Sequence, residues 1–155
     1  MNFVLPTIFL LFSVPLSVID IKEYRVPDIL VIPGIVVLTL LRVLIKSDQV
    51  LYFYFSLCIS ILIFGLVKIL VRDRFGWGDI KYTFMMAALL KPAGLLLSAW
   101  SASVAGLFVY LILRLANNHF PLRQTPLPFI PFLAAASLFA WFVQNPLQNF
   151  ILSAL

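Results

Sequence analysis

Long runs of uncharged apolar residues are the feature that most constrains the fold of this chain. The first run covers residues 3–19 and another covers residues 49–67. About 20 such residues are needed for a helix to cross the roughly 30 Å hydrocarbon core of a bilayer. Only 11% of the 155 residues are charged, against about 25% in a typical soluble domain. Because a helix pairs its own backbone groups, the sequence predicts an all-α, polytopic membrane helix bundle.

The uncharged runs predict about six transmembrane helices in a single membrane-embedded domain, residues 1–155, with no soluble domain beside them. The predicted spans are residues 3–19, 29–45, 49–67, 82–90, 92–113 and a last one from about 126 to 144. The fourth is short, since a helix from Asp79 to Lys91 covers only about 20 Å. The sequence leaves three alternatives for it: extension past Lys91, a start within the membrane, or failure to span.

The distribution of Lys and Arg predicts the orientation of the bundle. If all six segments cross, the first, third and fifth loops hold eight of the 11 basic residues. Loops rich in Lys and Arg stay in the cytoplasm, so we expect a multi-pass protein of the cytoplasmic membrane with both termini outside. The net charge of +5 is explained by this bias. A nucleic-acid partner is not expected, because no basic stripe with interleaved aromatic residues is present.

Two of the six acidic residues lie at span ends on the predicted cytoplasmic side. Asp20 follows the first apolar run, and Asp79 precedes the fourth. Asp20 can also be a plain interfacial charge, and Asp79 can cap the start of a helix. Together they suit acid–base catalysis, because two carboxylates held close together share one proton, so that one activates water and the other protonates the substrate.

Other catalytic and binding classes have little support in the sequence. The chain has one histidine, His119, and one cysteine, Cys58, so metal-ligand clusters are not expected. Neither a Gly-x-Ser-x-Gly elbow nor a glycine-rich phosphate loop is present, and no cofactor is expected. Pro128 and Pro131 cannot both lie in a helix interior without leaving carbonyls unpaired. They suit a cavity lining or a proline-rich helix start.

Three segments together resemble the type IV prepilin peptidases, which are membrane aspartic proteases of the Gly-x-Gly-Asp kind. The resemblance covers most of the chain, and the three segments have the order and spacing of the family's motifs. They are Asp20-Ile-Lys-Glu-Tyr-Arg-Val-Pro27-Asp28, Gly76-Trp-Gly-Asp79 followed by Lys81, and Pro128-Phe-Ile-Pro131.

The resemblance implies an endopeptidase that cuts the leader from a prepilin or pilin-like precursor at the cytoplasmic face, with Asp20 and Asp79 as the catalytic pair. The residues expected to shape the site are Gly76, Gly78, Pro27, Pro128 and Pro131. The residues considered for support of the pair or contact with the substrate are Lys22, Glu23, Arg25 and Lys81. Paired Cys-x-x-Cys motifs of the larger bacterial members are missing here, so methyltransferase activity is not implied.

A non-enzymatic reading uses the same carboxylates differently. Carboxylates at the edge of a membrane also relay protons or cations, so a small transporter or an assembly subunit is the alternative. Transporters often have two similar halves, and this sequence has no internal repeat. An intramembrane protease that cuts within a span is a further alternative, although Asp20 and Asp79 stand at span ends. The sequence does not indicate the oligomeric state or which pilin is cut.

Overall fold

The chain is helical throughout the part that a computed structural model describes, which is residues 3–45, 50–71, 76–116 and 128–154. This confirms the all-α prediction. The predicted spans agree with the observed helices to within a few residues at most ends. In chain order, the helices are α1 Val4–Glu23, α2 Asp28–Ile45, α3 Val50–Val71, α4 Trp77–Leu89, α5 Pro92–Ala116 and α6 Ile130–Ala154.

Four of the described helices are long and apolar enough to cross a membrane: α1, α2, α3 and α5. Their outward faces carry many exposed large apolar side chains, as expected where lipid replaces water. The apolar part of α6 is shorter, residues Ile130–Gln144, although its backbone remains helical to Ala154. The chain is therefore a multi-pass membrane bundle.

The short helix α4 lies at the centre of this bundle. It packs mainly against α2 and α3, and it also contacts α1, α5 and α6. Between Tyr82 and Leu90 every side chain is buried except that of Phe84, which is half-buried. Its 13 residues cover about 20 Å at 1.5 Å per residue, less than the roughly 30 Å of hydrocarbon. It ends before Lys91, so extension past that residue is wrong.

The carboxyl end of α4 is capped inside the protein by side chains of other helices. Arg42 on α2 is only 2% exposed, and its Nη1 donates to the Ala88 carbonyl at 2.9 Å. The Ser56 hydroxyl of α3 donates to the Leu90 carbonyl at 3.0 Å. Carbonyls left unpaired at this depth would each cost several kcal/mol. Arg42 thus serves the end of a buried helix.

Candidate active site

Asp20 lies in the last turn of α1, on the face of the helix that is buried in the bundle. Buried residues recur along this face at helical spacing: Leu5, Phe9, Ser13, Leu16 and Asp20. Three residues beyond Asp20 the helix ends, and Tyr24 adopts a left-handed conformation with φ 51° and donates its N–H to the Asp20 carbonyl. The Asp20 side chain therefore belongs to the packed face, and only 6% of the residue is exposed.

The carboxylate of Asp20 accepts hydrogen bonds from the first amides of α6. The Ile130 N–H donates to Asp20 Oδ2 at 3.0 Å, and the neighbouring Phe129 amide also favours the negative charge of this carboxylate. Free amides and the helix dipole make the amino end of a helix favourable for an anion. The last helix thus holds an acid that is 110 residues away in the sequence.

The two prolines of the third motif explain why these amides are available. Pro128 precedes α6, and Pro131 is its second residue. Proline lacks an N–H, and in the first turn of a helix this loss removes no helical hydrogen bond. Within 128–131 only Phe129 and Ile130 carry amide protons; the Ile130 N–H donates to Asp20, and the Phe129 amide favours the charge of Asp20. The prolines therefore form a helix start, the second of the two alternatives considered from the sequence.

Asp79 is the third residue of α4, and its carboxylate folds back over the start of the helix. The backbone amide of Gly76, the residue before the helix, favours the negative charge of this carboxylate. A capping box has the same arrangement. A Cβ added to Gly76 would lie 3.2 Å from Asp79 Oδ2, so the absence of a side chain there leaves room for the carboxylate. This position is compatible with the capping role considered from the sequence.

The structure brings Asp79 close enough to Asp20 for their charges to interact. Asp79 lies outside the four helices that are able to span the membrane. Burial, and secondly the negative charge of Asp20, raise the pKa of the Asp79 carboxyl from 3.8 to about 6, against weaker opposing effects of the Gly76 amide and Lys68. Like charges near each other disfavour double ionisation. The charge of Asp20 therefore acts on the ionisation of Asp79.

Gly78 allows the start of α4 to approach the connection between α1 and α2. A Cβ at Gly78 would lie 2.5 Å from Cβ of Val26, a distance that real side chains do not reach without a shift. Val26 precedes Pro27 and the first residue of α2, Asp28. The second glycine of the motif therefore serves close packing, and its replacement would push the Asp79 turn away from the α1–α2 connection.

An ion pair joins the first and second motifs. Lys81 Nζ donates to both carboxylate oxygens of Asp28, at 2.6 and 2.8 Å. Both side chains are more than one third exposed, so the pair contributes at most about 1 kcal/mol to stability. Its effect is geometric, because it ties the start of α2 to the first turns of α4. Lys81 is thus engaged with a residue of the first motif.

The remaining charged candidates are placed at the surface. Arg25 Nε pairs with Glu23 Oε2 at 2.7 Å, and Lys22 is exposed. Cys58 is exposed on α3. His119 lies outside the described residues.

Two features near the pair were not predicted from the sequence. Lys68 at the end of α3 lies with its Nζ 5.4 Å from the centre of the Trp77 ring, and its charge lowers the pKa of Asp79. Tyr82 donates its hydroxyl hydrogen bond to Ser13 Oγ at 2.8 Å. In the sequence, Lys68 is a basic residue at the end of an apolar run, and Tyr82 and Ser13 are polar residues within apolar runs. These patterns do not show which residue each one contacts.

Comparison with known families places these observations in context. The model of the Type IV leader peptidase family matches residues 7–111, which is more than half of the chain. The match includes Asp20 and Asp79, and it ends before the segment that begins at Pro128. Searches of curated proteins and of solved structures find no match.

Proposed function

Because this chain belongs to the type IV leader peptidase family, we propose that it is a membrane aspartic endopeptidase in which Asp20 and Asp79 share a proton. The observation that supports the proposal is that the negative charge of Asp20 on α1 raises the pKa of Asp79 on α4, although the two residues are 59 positions apart in the sequence. A shared proton gives one acid and one base at the same site. Peptide hydrolysis with an activated water requires both.

The surroundings of the two groups suggest different roles for them. At Asp20 the amide groups at the amino end of α6 favour the ionised form and oppose the effect of burial. Burial and the neighbouring charge favour the protonated form of Asp79. In this assignment Asp20 is the general base and Asp79 is the general acid.

The reaction then follows from these starting states. Asp20 takes a proton from water as the water oxygen attacks the scissile carbonyl carbon, and Asp79 gives its proton to the carbonyl oxygen. When the tetrahedral intermediate collapses, the C–N bond breaks, Asp20 gives its proton to the leaving amine, and Asp79 regains a proton from the intermediate hydroxyl. Both groups return to their starting states, so the cycle needs no cofactor.

The proposed substrate is the leader of a prepilin or pilin-like precursor, cut at the cytoplasmic side of the cytoplasmic membrane. The family description supports a leader peptide as the substrate class. The excess of Lys and Arg in the first, third and fifth loops supports the side. Asp20 borders the first loop of the chain, and Asp79 borders the third loop.

Co-expression with candidate prepilins, scored by the mobility shift of the shortened product, tests the proposal. We expect wild type to cleave, and we expect Asp20→Asn and Asp79→Asn each to lose cleavage, because an amide cannot trade a proton at neutral pH. Asp48→Asn is the matched control, since Asp48 lies in the second predicted loop on the opposite side. Cleavage at near wild-type rate by either of the first two variants, with equal amounts in the membrane, would exclude the pair.

A further inference from the structure

A buried hydrogen bond connects the two helices that carry the aspartates. The Tyr82 hydroxyl of α4 donates to Ser13 Oγ of α1 at 2.8 Å. Tyr82 is 0% and Ser13 is 1% exposed, so both groups are removed from lipid and solvent. Tyr82 stands about one turn after Asp79, and Ser13 stands about two turns before Asp20 on the same buried face of α1.

The contact between α1 and α4 is otherwise narrow. It is much smaller than the contacts that α4 makes with α2 and α3. Besides the hydrogen bond, the described ring contacts place Phe9 of α1 against Tyr82, with centroids 6.0 Å apart. Tyr82 thus makes both a hydrogen bond and an aromatic contact between α4 and α1. In a narrow contact, the loss of such a link changes the spacing of the helices more than it would in a broad one.

We propose that Tyr82 and Ser13 are positioning residues, whose hydrogen bond sets the separation of Asp20 and Asp79. The inference rests on the proposed function, because the separation matters when the two carboxyl groups share a proton. Interaction between like charges weakens as the distance between them grows. A wider separation therefore weakens the coupling on which the division into acid and base depends.

A second buried hydroxyl pair provides a matched control. Ser60 of α3 and Thr83 of α4 share a hydrogen bond of 2.7 Å, and both residues are 0% exposed. Thr83 is the neighbour of Tyr82, but this bond joins α4 to α3, which carries neither aspartate. Ser60→Ala removes a hydroxyl from α4's surroundings without touching the α1–α4 contact.

The kinetic experiment measures kcat, KM and the pH profile of leader cleavage for Tyr82→Phe, Ser13→Ala, the double variant and Ser60→Ala. We expect Tyr82→Phe and Ser13→Ala each to lower kcat by about 10- to 100-fold, with KM within about twofold of wild type. The double variant should lose no more than the worse single variant, because both remove one bond.

The pH profile separates positioning from general support of the fold. The groups that act on Asp79 are Asp20 of α1, Lys68 of α3 and the Gly76 amide, and Lys81, which pairs with Asp28, is two residues further along α4. When the two carboxyl groups are further apart, weaker repulsion from Asp20 lowers the pKa of Asp79, so Asp79 loses its proton at a lower pH. The upper limb of the kcat profile should therefore move to lower pH in Tyr82→Phe and Ser13→Ala, and it should stay in place in Ser60→Ala.

A second measurement works without catalysis. In a Cys58→Ser background, Asp20→Cys and Asp79→Cys place thiols at the two sites, and a short bifunctional thiol reagent reports their separation. We expect Tyr82→Phe to lower the cross-linking rate at least threefold, and Ser60→Ala to leave it unchanged. An unchanged rate or an unmoved pH limb in Tyr82→Phe overturns the inference, as does the same change in Ser60→Ala. If wild type cleaves no leader, the proposed function is wrong. The cross-linking rates still test whether the Tyr82–Ser13 hydrogen bond sets the separation of the two sites.

Discussion

Replacing Asp79 by asparagine should make the protein more stable at neutral pH while it abolishes cleavage. The folded protein raises the pKa of this carboxyl from 3.8 to about 6. At neutral pH most folded molecules therefore carry Asp79 ionised in a place that disfavours its charge, and the protonated minority is the form that can act as the general acid. Asparagine is uncharged at every pH, and its carbonyl oxygen can still face the Gly76 amide, which favours the charge of Asp79 in wild type. The variant should keep the cap of α4 and lose the electrostatic penalty.

The magnitude follows from the displacement of the pKa. One pKa unit corresponds to about 1.4 kcal/mol, so the change from 3.8 to about 6 gives at most about 3 kcal/mol. Asp79 is half-buried, and water near it reduces the gain, so we expect about 1–3 kcal/mol. For a chain of this size that corresponds to a rise in Tm of several degrees.

The sign of the pH dependence is fixed by the direction of the shift. Between pH 3.8 and about 6 the folded state keeps a proton that the unfolded state has lost, so the stability of wild type falls as pH rises through this window. Above this pH window the stability of wild type falls no further through Asp79, and below it Asp79 is protonated in both the folded and the unfolded state. The gain from Asp79→Asn should therefore be near zero at pH 3.5, grow up to about pH 6 and then level off.

The assay is thermal unfolding in one detergent, followed by the loss of helical circular dichroism from pH 3.5 to 8. The acidic end of the series is the internal control, because wild type and variant carry the same charge at this position there. Parallel Tm curves for the two proteins across the whole range would refute the reasoning. A gain of the same size at pH 3.5 would refute it as well, since it would show that packing and not charge is responsible.

Three further outcomes follow from contacts near α4. Gly78→Ala should destabilise the protein by about 1–3 kcal/mol and lower cleavage sharply, because the added Cβ meets the Val26 side chain. Gly65→Ala is the control in the same Tm and cleavage assays, since the space around its added Cβ is open. Lys81→Asp and Asp28→Lys should each lower cleavage severalfold and the double exchange should restore it, whereas a lack of rescue would point to direct substrate contact. Arg42→Met should lower stability by about 2–4 kcal/mol in thermal unfolding because buried carbonyls lose their donor, and unchanged Tm would contradict its capping role.

The sequence predicted the elements whose signals are local. Apolar runs located α1, α2, α3 and α5 because lipid selects for long uncharged stretches. The same logic placed Asp20 and Asp79 at one end of the bundle, since span order determines which loops share a side. The central position of α4 could not be read this way. A short apolar helix is compatible with several depths, and only the packing of its neighbours decides among them.

The partners of the site residues were beyond sequence reasoning for the same reason. A proline pair indicates an unusual helix position, yet nothing local shows that the amides between Pro128 and Pro131 face Asp20. Likewise Arg42 has the appearance of a flanking charge, because a basic residue near the end of a span usually lies at the interface. Its role depends on carbonyls that lie more than 40 residues further along the chain.

The enclosed position of α4 has a consequence for how the protein tolerates different membranes. A bilayer that is too thick or too thin acts on helices that touch its acyl chains, which respond by tilting or by deforming the lipid around them. The residues of α4 beyond its first turn are covered almost entirely by other helices, and protein groups fasten its inner end. A change in acyl-chain length should therefore tilt the surrounding helices first and change the position of Asp79 much less.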